Sequence, residues 1–150
     1  MQLTPDWKYV SDGVMGGLSQ GRLDHGIVAG RQAARLSGAV STANNGGFIQ
    51  MAFDLDPGAE AYRGIGIEVY GNGARYDLRL RTHDLTRPWQ SFRRSFVAGP
   101  AWQQVDLPFE TFEAHRTEAK FAPARLRRIG ILAIGANFEA DIAIAGLWFY

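Results

Sequence analysis

Ile65-Gly66-Ile67-Glu68-Val69-Tyr70, Gly71-Asn72-Gly73-Ala74 and Arg75-Tyr76-Asp77-Leu78-Arg79-Leu80-Arg81 form the continuous stretch on which the fold class turns. The first and last runs alternate apolar with polar or small residues, the period of a half-buried strand. Between them Asn72-Gly73 has the favoured composition of a two-residue type I′ turn. Such a turn predicts a hairpin in which Val69 faces Tyr76, Ile67 faces Leu78 and Ile65 faces Leu80. One face is then apolar. The other carries Glu68, Tyr70, Arg75, Asp77, Arg79 and Arg81.

The same period of two recurs on both sides of this stretch. Ile49, Met51, Phe53 and Leu55 alternate with Phe48, Gln50, Ala52 and Asp54, and Ala34, Leu36, Gly38 and Val40 alternate with Arg35, Ser37 and Ala39. Phe92 and Phe96 flank Arg94 two residues away on each side. The run from Ile129 to Ile134 is apolar on both faces, as expected of a strand in the middle of a sheet. An aromatic end, Leu147-Trp148-Phe149-Tyr150, is expected to dock as a strand. Helical periodicity is scarce, with at most one or two turns over residues 109–115. Eighteen glycines separate the short apolar runs. Many short strands and almost no helix predict an all-β, jelly-roll β-sandwich.

Composition bounds the rest. The 150 residues fit a single domain, 1–150, with 46% hydrophobic and 21% charged residues. A formal net charge of +1 argues against nucleic-acid binding, which calls for a basic excess. The chain has no cysteine, which removes disulfides, thiolate metal sites and thiol catalysis. No apolar run approaches a membrane span, and the N-terminus shows no signal-peptide pattern, so a cytoplasmic protein is expected.

No catalytic constellation emerges. The glycine-rich segment from Gly13 to Gly21 lacks the following lysine and helix of a phosphate loop. Asp54, Asp56 and Glu60 surround Pro57-Gly58, which reads as a polar turn, because Gly58 occupies a slot where a calcium loop needs an oxygen ligand. His25, His83 and His115 have no ligand-spaced partners. There is no Gly-x-Ser-x-Gly. The expectation is a non-enzyme without cofactor or metal.

The candidate binding surface is the polar face of the hairpin, with Glu68, Tyr70, Arg75, Arg79 and Arg81 over a floor opened by Gly64 and Gly66. It suits a sugar, an anion or a peptide; ordinary ion pairs on a solvated sheet face, worth about 0.2–1 kcal/mol each, are the alternative. Of the four tryptophans, Trp102 and Trp148 fall in strand-like runs and are expected in the core. Trp89, after Arg87-Pro88, is the candidate exposed anchor.

Several segments, taken in order, resemble the complex I intermediate-associated protein family. They are Asp12-Gly13-Val14-Met15-Gly16-Gly17-Leu18-Ser19, Gly38-Ala39-Val40-Ser41 with Asn44-Asn45-Gly46-Gly47-Phe48, and Tyr62-Arg63-Gly64-Ile65 with Gly71-Asn72-Gly73 and Tyr76. Trp102-Gln103-Gln104-Val105-Asp106-Leu107-Pro108-Phe109 with Phe112, and Ile129-Gly130-Ile131, complete the set. The resemblance implies a galactose-binding-like sandwich and a non-catalytic, chaperone-like role, since mitochondrial members assist assembly of respiratory complex I. It implies a protein partner; a glycan or small ligand is the alternative. The chain departs from the family pattern at Arg116-Thr117, where relatives have Arg-Gly. The motif glycines and asparagines (Gly16, Gly17, Asn44, Asn45, Gly46 and Gly47), with Asp12, Met15 and Ser19, are expected to form two neighbouring loops at one end of the sandwich.

Overall fold

A computed structural model describes residues 1–150, apart from the side chains of Val14, Met15 and Asn45. In chain order its strands are β1 (Lys8–Ser11), β2 (Gln20–Val28), β3 (Arg31–Val40), β4 (Phe48–Asp54), β5 (Gly64–Tyr70) and β6 (Arg75–Thr82). There follow β7 (Ser91–Val97), β8 (Gln103–Pro108), β9 (Glu113–His115), β10 (Leu126–Ile134) and β11 (Phe138–Phe149). Two antiparallel sheets result, a six-stranded one in the order β1-β4-β10-β6-β7-β9 and a five-stranded one in the order β2-β3-β11-β5-β8. The architecture is a galactose-binding-like jelly-roll sandwich.

The two alternating runs that predict a hairpin are strands, but they do not pair. β5 lies between β11 and β8 in the five-stranded sheet, and β6 lies between β10 and β7 in the six-stranded one. Asn72-Gly73 is therefore a corner between sheets. Only Gly73 of the two has positive φ, at 87°, whereas a type I′ turn needs both. Residues 71–74 bond to the segment after β7 instead: Gly71 N–H donates to Gly99 O, Gly73 N–H to Ala98 O, and Ala98 N–H to Ala74 O. Tyr76 locks the corner, its hydroxyl donating to Asn72 Oδ1 at 2.7 Å and accepting from Asp141 N–H at 2.9 Å.

The apolar faces themselves are as expected. Ile65, Ile67 and Val69 of β5 and Tyr76, Leu78 and Leu80 of β6 are all buried, joined in one core with Leu36, Ile49, Met51, Ile129, Ile131, Ile142 and Leu147. Each such large side chain contributes about 1.5–3 kcal/mol by leaving water. β10 is central in its sheet, and the aromatic C-terminus is β11, central in the other. Two tryptophans depart from expectation. Trp102 and Trp148 lie on the outer side of the five-stranded sheet, while Trp7 is the core tryptophan, edge-on to Phe53 at 4.9 Å.

A two-residue hairpin does occur, at Ala29-Gly30 between β2 and β3, where Val28 pairs with Arg31. Both central residues have positive φ, 45° and 85°. Alanine is strained there, since a left-handed backbone brings Cβ against the following carbonyl. Ala29→Asn would install the preferred Asn-Gly pair and is expected to stabilise the fold by about 0.5–1 kcal/mol, read from urea unfolding. An unchanged or lower midpoint would refute this account of the turn.

Candidate functional site

Registers place one row of side chains across all six strands on the outer face of the larger sheet. Lys8 pairs with Ala52, Ala52 with Gly130, Gly130 with Arg79, Arg79 with Arg93 and Arg93 with Glu113. The next row runs Val10, Gln50, Leu132, Asp77 and Ser95. They face outward because their sequence neighbours Met51, Ile129, Ile131, Leu78 and Leu80 point into the core. Gly130 leaves room in the floor, and the Gln50 amide lies over it, 2.5 Å from where a Cβ would stand.

Charge dominates this face. Arg79 donates through Nε and Nη2 to Asp77 Oδ2 at 3.2 and 3.0 Å, and both side chains are only 15% exposed. Arg128 pairs with Asp54 at 2.9 Å beside Arg81. Arg81 donates to the carbonyls of Gln90 and Arg87, which draws the loop bearing Trp89 to the rim of the face. Trp89 itself is 56% exposed. Burial first, then Arg127 and Arg128, lower the Arg81 pKa. Burial first, then Arg93, Arg79 and Arg116, lower that of His115, which favours its neutral form. A cavity of about 550 Å³ opens on the other sheet, and one of about 410 Å³ here is lined by Asp77, Arg93, Arg94, Ser95, Thr111 and Glu113.

The outer face of the five-stranded sheet is different in kind. Trp148 lies against Gly66 and Tyr150 against Gly64, so the glycine floor expected to be open is covered by rings. A Cβ at Gly64 would stand 2.6 Å from the Tyr150 hydroxyl. Tyr70 and Trp102 meet at 5.6 Å, and the Arg31 guanidinium sits 5.1 Å over the Trp102 ring while pairing with Glu68. Arg35 grips Asp141 through two bonds of 2.8 and 2.6 Å.

Of the residues expected on one polar face, the structure therefore keeps Arg75, Arg79 and Arg81 together, with Trp89 at their edge. Glu68 and Tyr70 are on the opposite side of the sandwich, and the composite face of the hairpin does not exist. Pairing in the sequence could not reveal this, because β5 and β6 contact each other only through their apolar sides across the core. Arg93, Ser95 and Glu113 join the charged face without having been expected there. The alternation of Arg93 and Ser95 with Phe92 and Phe96 was a readable signal of outward direction, but not of which strand lay beside it.

The two motif loops are neighbours, held by one buried carboxylate. Asp12 accepts from Ser19 N–H (3.1 Å), Ser19 Oγ (2.5 Å), Gly47 N–H (2.6 Å) and Phe48 N–H (3.2 Å). Glycine is needed around it, since a Cβ at Gly17 would stand 2.7 Å from Asp12 Oδ1 and one at Gly46 2.5 Å from Oδ2. Gly16 caps the 3-10 turn over Asp12–Met15 in the left-handed region at φ 83°, and Asn44 is left-handed at φ 55°. The Met15 and Asn45 side chains, also expected here, lie outside the described residues. Around Asp12 this end reads as a structural lock, with the Ser19 hydroxyl and the amides of Ser19, Gly47 and Phe48 turned inward on the carboxylate. Among the described residues no group of three His, Asp or Glu side chains is placed to hold a metal ion, and no helix is long and apolar enough to cross a membrane.

Comparison with known proteins follows the fold closely and the sequence only distantly. The chain is similar to a family 11 carbohydrate-binding module from Clostridium thermocellum, solved with a β-1,3-1,4-mixed-linked tetrasaccharide, at TM-score 0.77 and 11% identity over 99% of this chain and 93% of that one. A family 30 carbohydrate-binding module of a Clostridium thermocellum cellulosomal cellulase superposes at TM-score 0.67 and 11% identity, over 98% and 95% of the two chains. At this identity the likeness speaks for the fold alone. No curated protein matches the chain. The family model for complex I intermediate-associated protein 30 (CIA30) matches residues 1–144, and the chain belongs to that family.

Proposed function

We propose that the chain is a non-catalytic binding domain that docks a protein partner on the outer face of its six-stranded sheet, as an assembly or chaperone-like factor. The observation that carries this reading is the row of outward positions across all six strands, charged at Lys8, Arg79, Arg93 and Glu113, with Asp77 of the next row fixed against Arg79. Six strands at about 4.8 Å spacing span about 24 Å, close to the width of a standard protein–protein patch of about 800 Å² per side. Arginines held in place recognise carboxylates through paired hydrogen bonds, and the face carries Arg79, Arg81, Arg93 and Arg128. A partner surface bearing acidic side chains complements it. Family membership supports a protein partner, since the family's name describes association with a complex I intermediate.

An oligosaccharide is the second reading, favoured by the tetrasaccharide complex of the family 11 module and by the cavity beside Asp77, Arg93 and Glu113. The two central rows carry no Trp, Tyr or Phe on which a sugar ring could stack, which places this reading second.

The test is quantitative affinity capture from the host under native conditions, comparing the chain with Arg93→Glu/Arg128→Glu. A defined partner captured by the wild type is expected to bind at least about tenfold more weakly to the double variant, the loss of one good charged contact. No enriched partner, or equal capture by both, overturns the proposal. Saturable binding of a mixed-linkage oligosaccharide that Asp77→Ala abolishes would move the assignment to the second reading.

A further inference from the structure

The five-stranded sheet ends on β2, which is bonded to β3 along its whole length and to no other strand. Exposed edges invite pairing with another chain, and folds usually blunt them with short strands, proline, lysine or bulges. The other edges here follow that rule. β1 has four residues, β9 has three, and β8 has six and ends on Pro108. β2 follows it least: its nine residues, Gln20-Gly21-Arg22-Leu23-Asp24-His25-Gly26-Ile27-Val28, contain neither proline nor lysine, its two charged residues, Arg22 and Asp24, are of opposite sign, and its register with β3 is unbroken.

We propose that β2 is the interface for a second copy of this chain, pairing antiparallel with its own equivalent about a two-fold axis at Leu23 to give a continuous ten-stranded sheet. Charge complementarity selects the occupant. In antiparallel pairing, directly opposite residues point to the same side, so only registers centred on a residue keep both cores on one side. Centred on Leu23, Arg22 faces Asp24 of the second copy and Asp24 faces its Arg22. One symmetric register thus forms two cross-chain Arg–Asp pairs, each charge meeting one of opposite sign. Shifting the axis to Arg22 or to Asp24 sets like charges against each other, which is destabilising.

Size follows the same register. His25 faces Gly21 and Gln20 faces Gly26, so both of these side chains meet a glycine, and Leu23 meets its own equivalent. The overlap covers residues 20–26 and leaves Val28 outside it, where its carbonyl accepts from Trp102 Nε1 at 3.2 Å. In the single chain Arg22 and Asp24 pair with each other at 2.9 Å, with side chains 73% and 53% exposed. A water-exposed pair of this kind contributes little, so exchanging it for two cross-chain pairs sacrifices almost nothing.

Sedimentation and light scattering on the purified chain test this across a dilution series. The wild type is expected at twice the monomer mass at micromolar concentration, dissociating on dilution. Asp24→Arg, which opposes like charges at both ends of the register, is expected to be monomeric with unchanged circular dichroism. Arg22→Asp/Asp24→Arg, which restores the complementarity in reverse, is expected to recover the dimer. A monomeric wild type, a dimer unaffected by Asp24→Arg, or a double variant that stays monomeric overturns the proposal. Amide exchange in the wild type provides a readout independent of any variant: protection confined to residues 20–26 should rise with concentration, and no such rise refutes the interface.

Discussion

Asp12→Ala is expected to lower the unfolding free energy by about 3–5 kcal/mol, because it removes a buried charge that four donors of two other chain segments converge on. The carboxylate is fully buried and takes Ser19 N–H and Oγ, Gly47 N–H and Phe48 N–H. Hydrogen bonds to a charged group contribute about 1.5–3 kcal/mol each, less than additively when they share an acceptor, and their removal strands buried donors. Glycines at 17 and 46 leave no side chain to fill the space. Urea unfolding measures the effect. A loss below about 1 kcal/mol would mean the loops hold each other without the carboxylate.

Asp12 also sets a pH dependence with a definite sign. Burial by itself would raise its pKa, but the Ser19 hydroxyl and the amides of Gly47, Phe48 and Ser19 together hold it below the ordinary aspartate value. A carboxyl depressed in the folded state adds stability that is fully present above its unfolded pKa of about 3.9 and is lost as pH falls through the folded one. Stability should therefore decline in acid below the usual carboxylate range, and the part of that decline due to Asp12 should vanish in Asp12→Ala. Parallel acid profiles of the two proteins would refute the assignment.

The second large effect is expected at Gly38→Ala, about 3 kcal/mol of destabilisation, or roughly 6–12 °C in melting temperature for a chain of this size. Gly38 has φ of 142°, a backbone conformation that side chains with a Cβ avoid. It stands opposite Gly21 in the β2–β3 ladder, and a Cβ there would collide with the Gln20 carbonyl and the Gly21 Cα. Both are backbone atoms of a paired strand and cannot swing aside. Gly26→Ala is the internal control in the same ladder, since nothing lies within 4 Å of its Cβ position. It should change stability by less than about 1 kcal/mol, in either direction. Equal effects at the two glycines would show that entropy, and not the close approach of β2 to β3, governs this ladder.

How much was legible can be read from β5 and β6. Alternation identified both as strands and assigned every inward residue correctly, from Ile65 to Leu80. It failed at their pairing. A period of two records which side of a strand is dry, and the dry side is the same whether the partner lies about 5 Å away in one sheet or about 10 Å away across the core. Asn72-Gly73 weighted the choice toward a hairpin, while the true two-residue turn, Ala29-Gly30, carries no such composition at its first position. The tertiary hydrogen bonds of residues 71–74 with the segment after β7 outcompete the local turn.

The candidate site was legible in the same partial way. Arg75, Arg79 and Arg81 share a face because they share a strand, which is a local fact. Their companions Arg93 and Glu113 come from β7 and β9, and Glu68 and Tyr70 go to the far side, which are facts of strand order. The sequence by itself determined the class of fold, the inner side of each strand, the family motifs and the exposure of Trp89, all of which follow from short-range periodicity and from residue chemistry. Only the tertiary structure decided which strands are neighbours, that one Asp12 carboxylate joins the two glycine loops, and that β2 is left as a long bare edge. Those are choices among pairings of similar local energy, and the closing of a single core between two sheets is what selects among them.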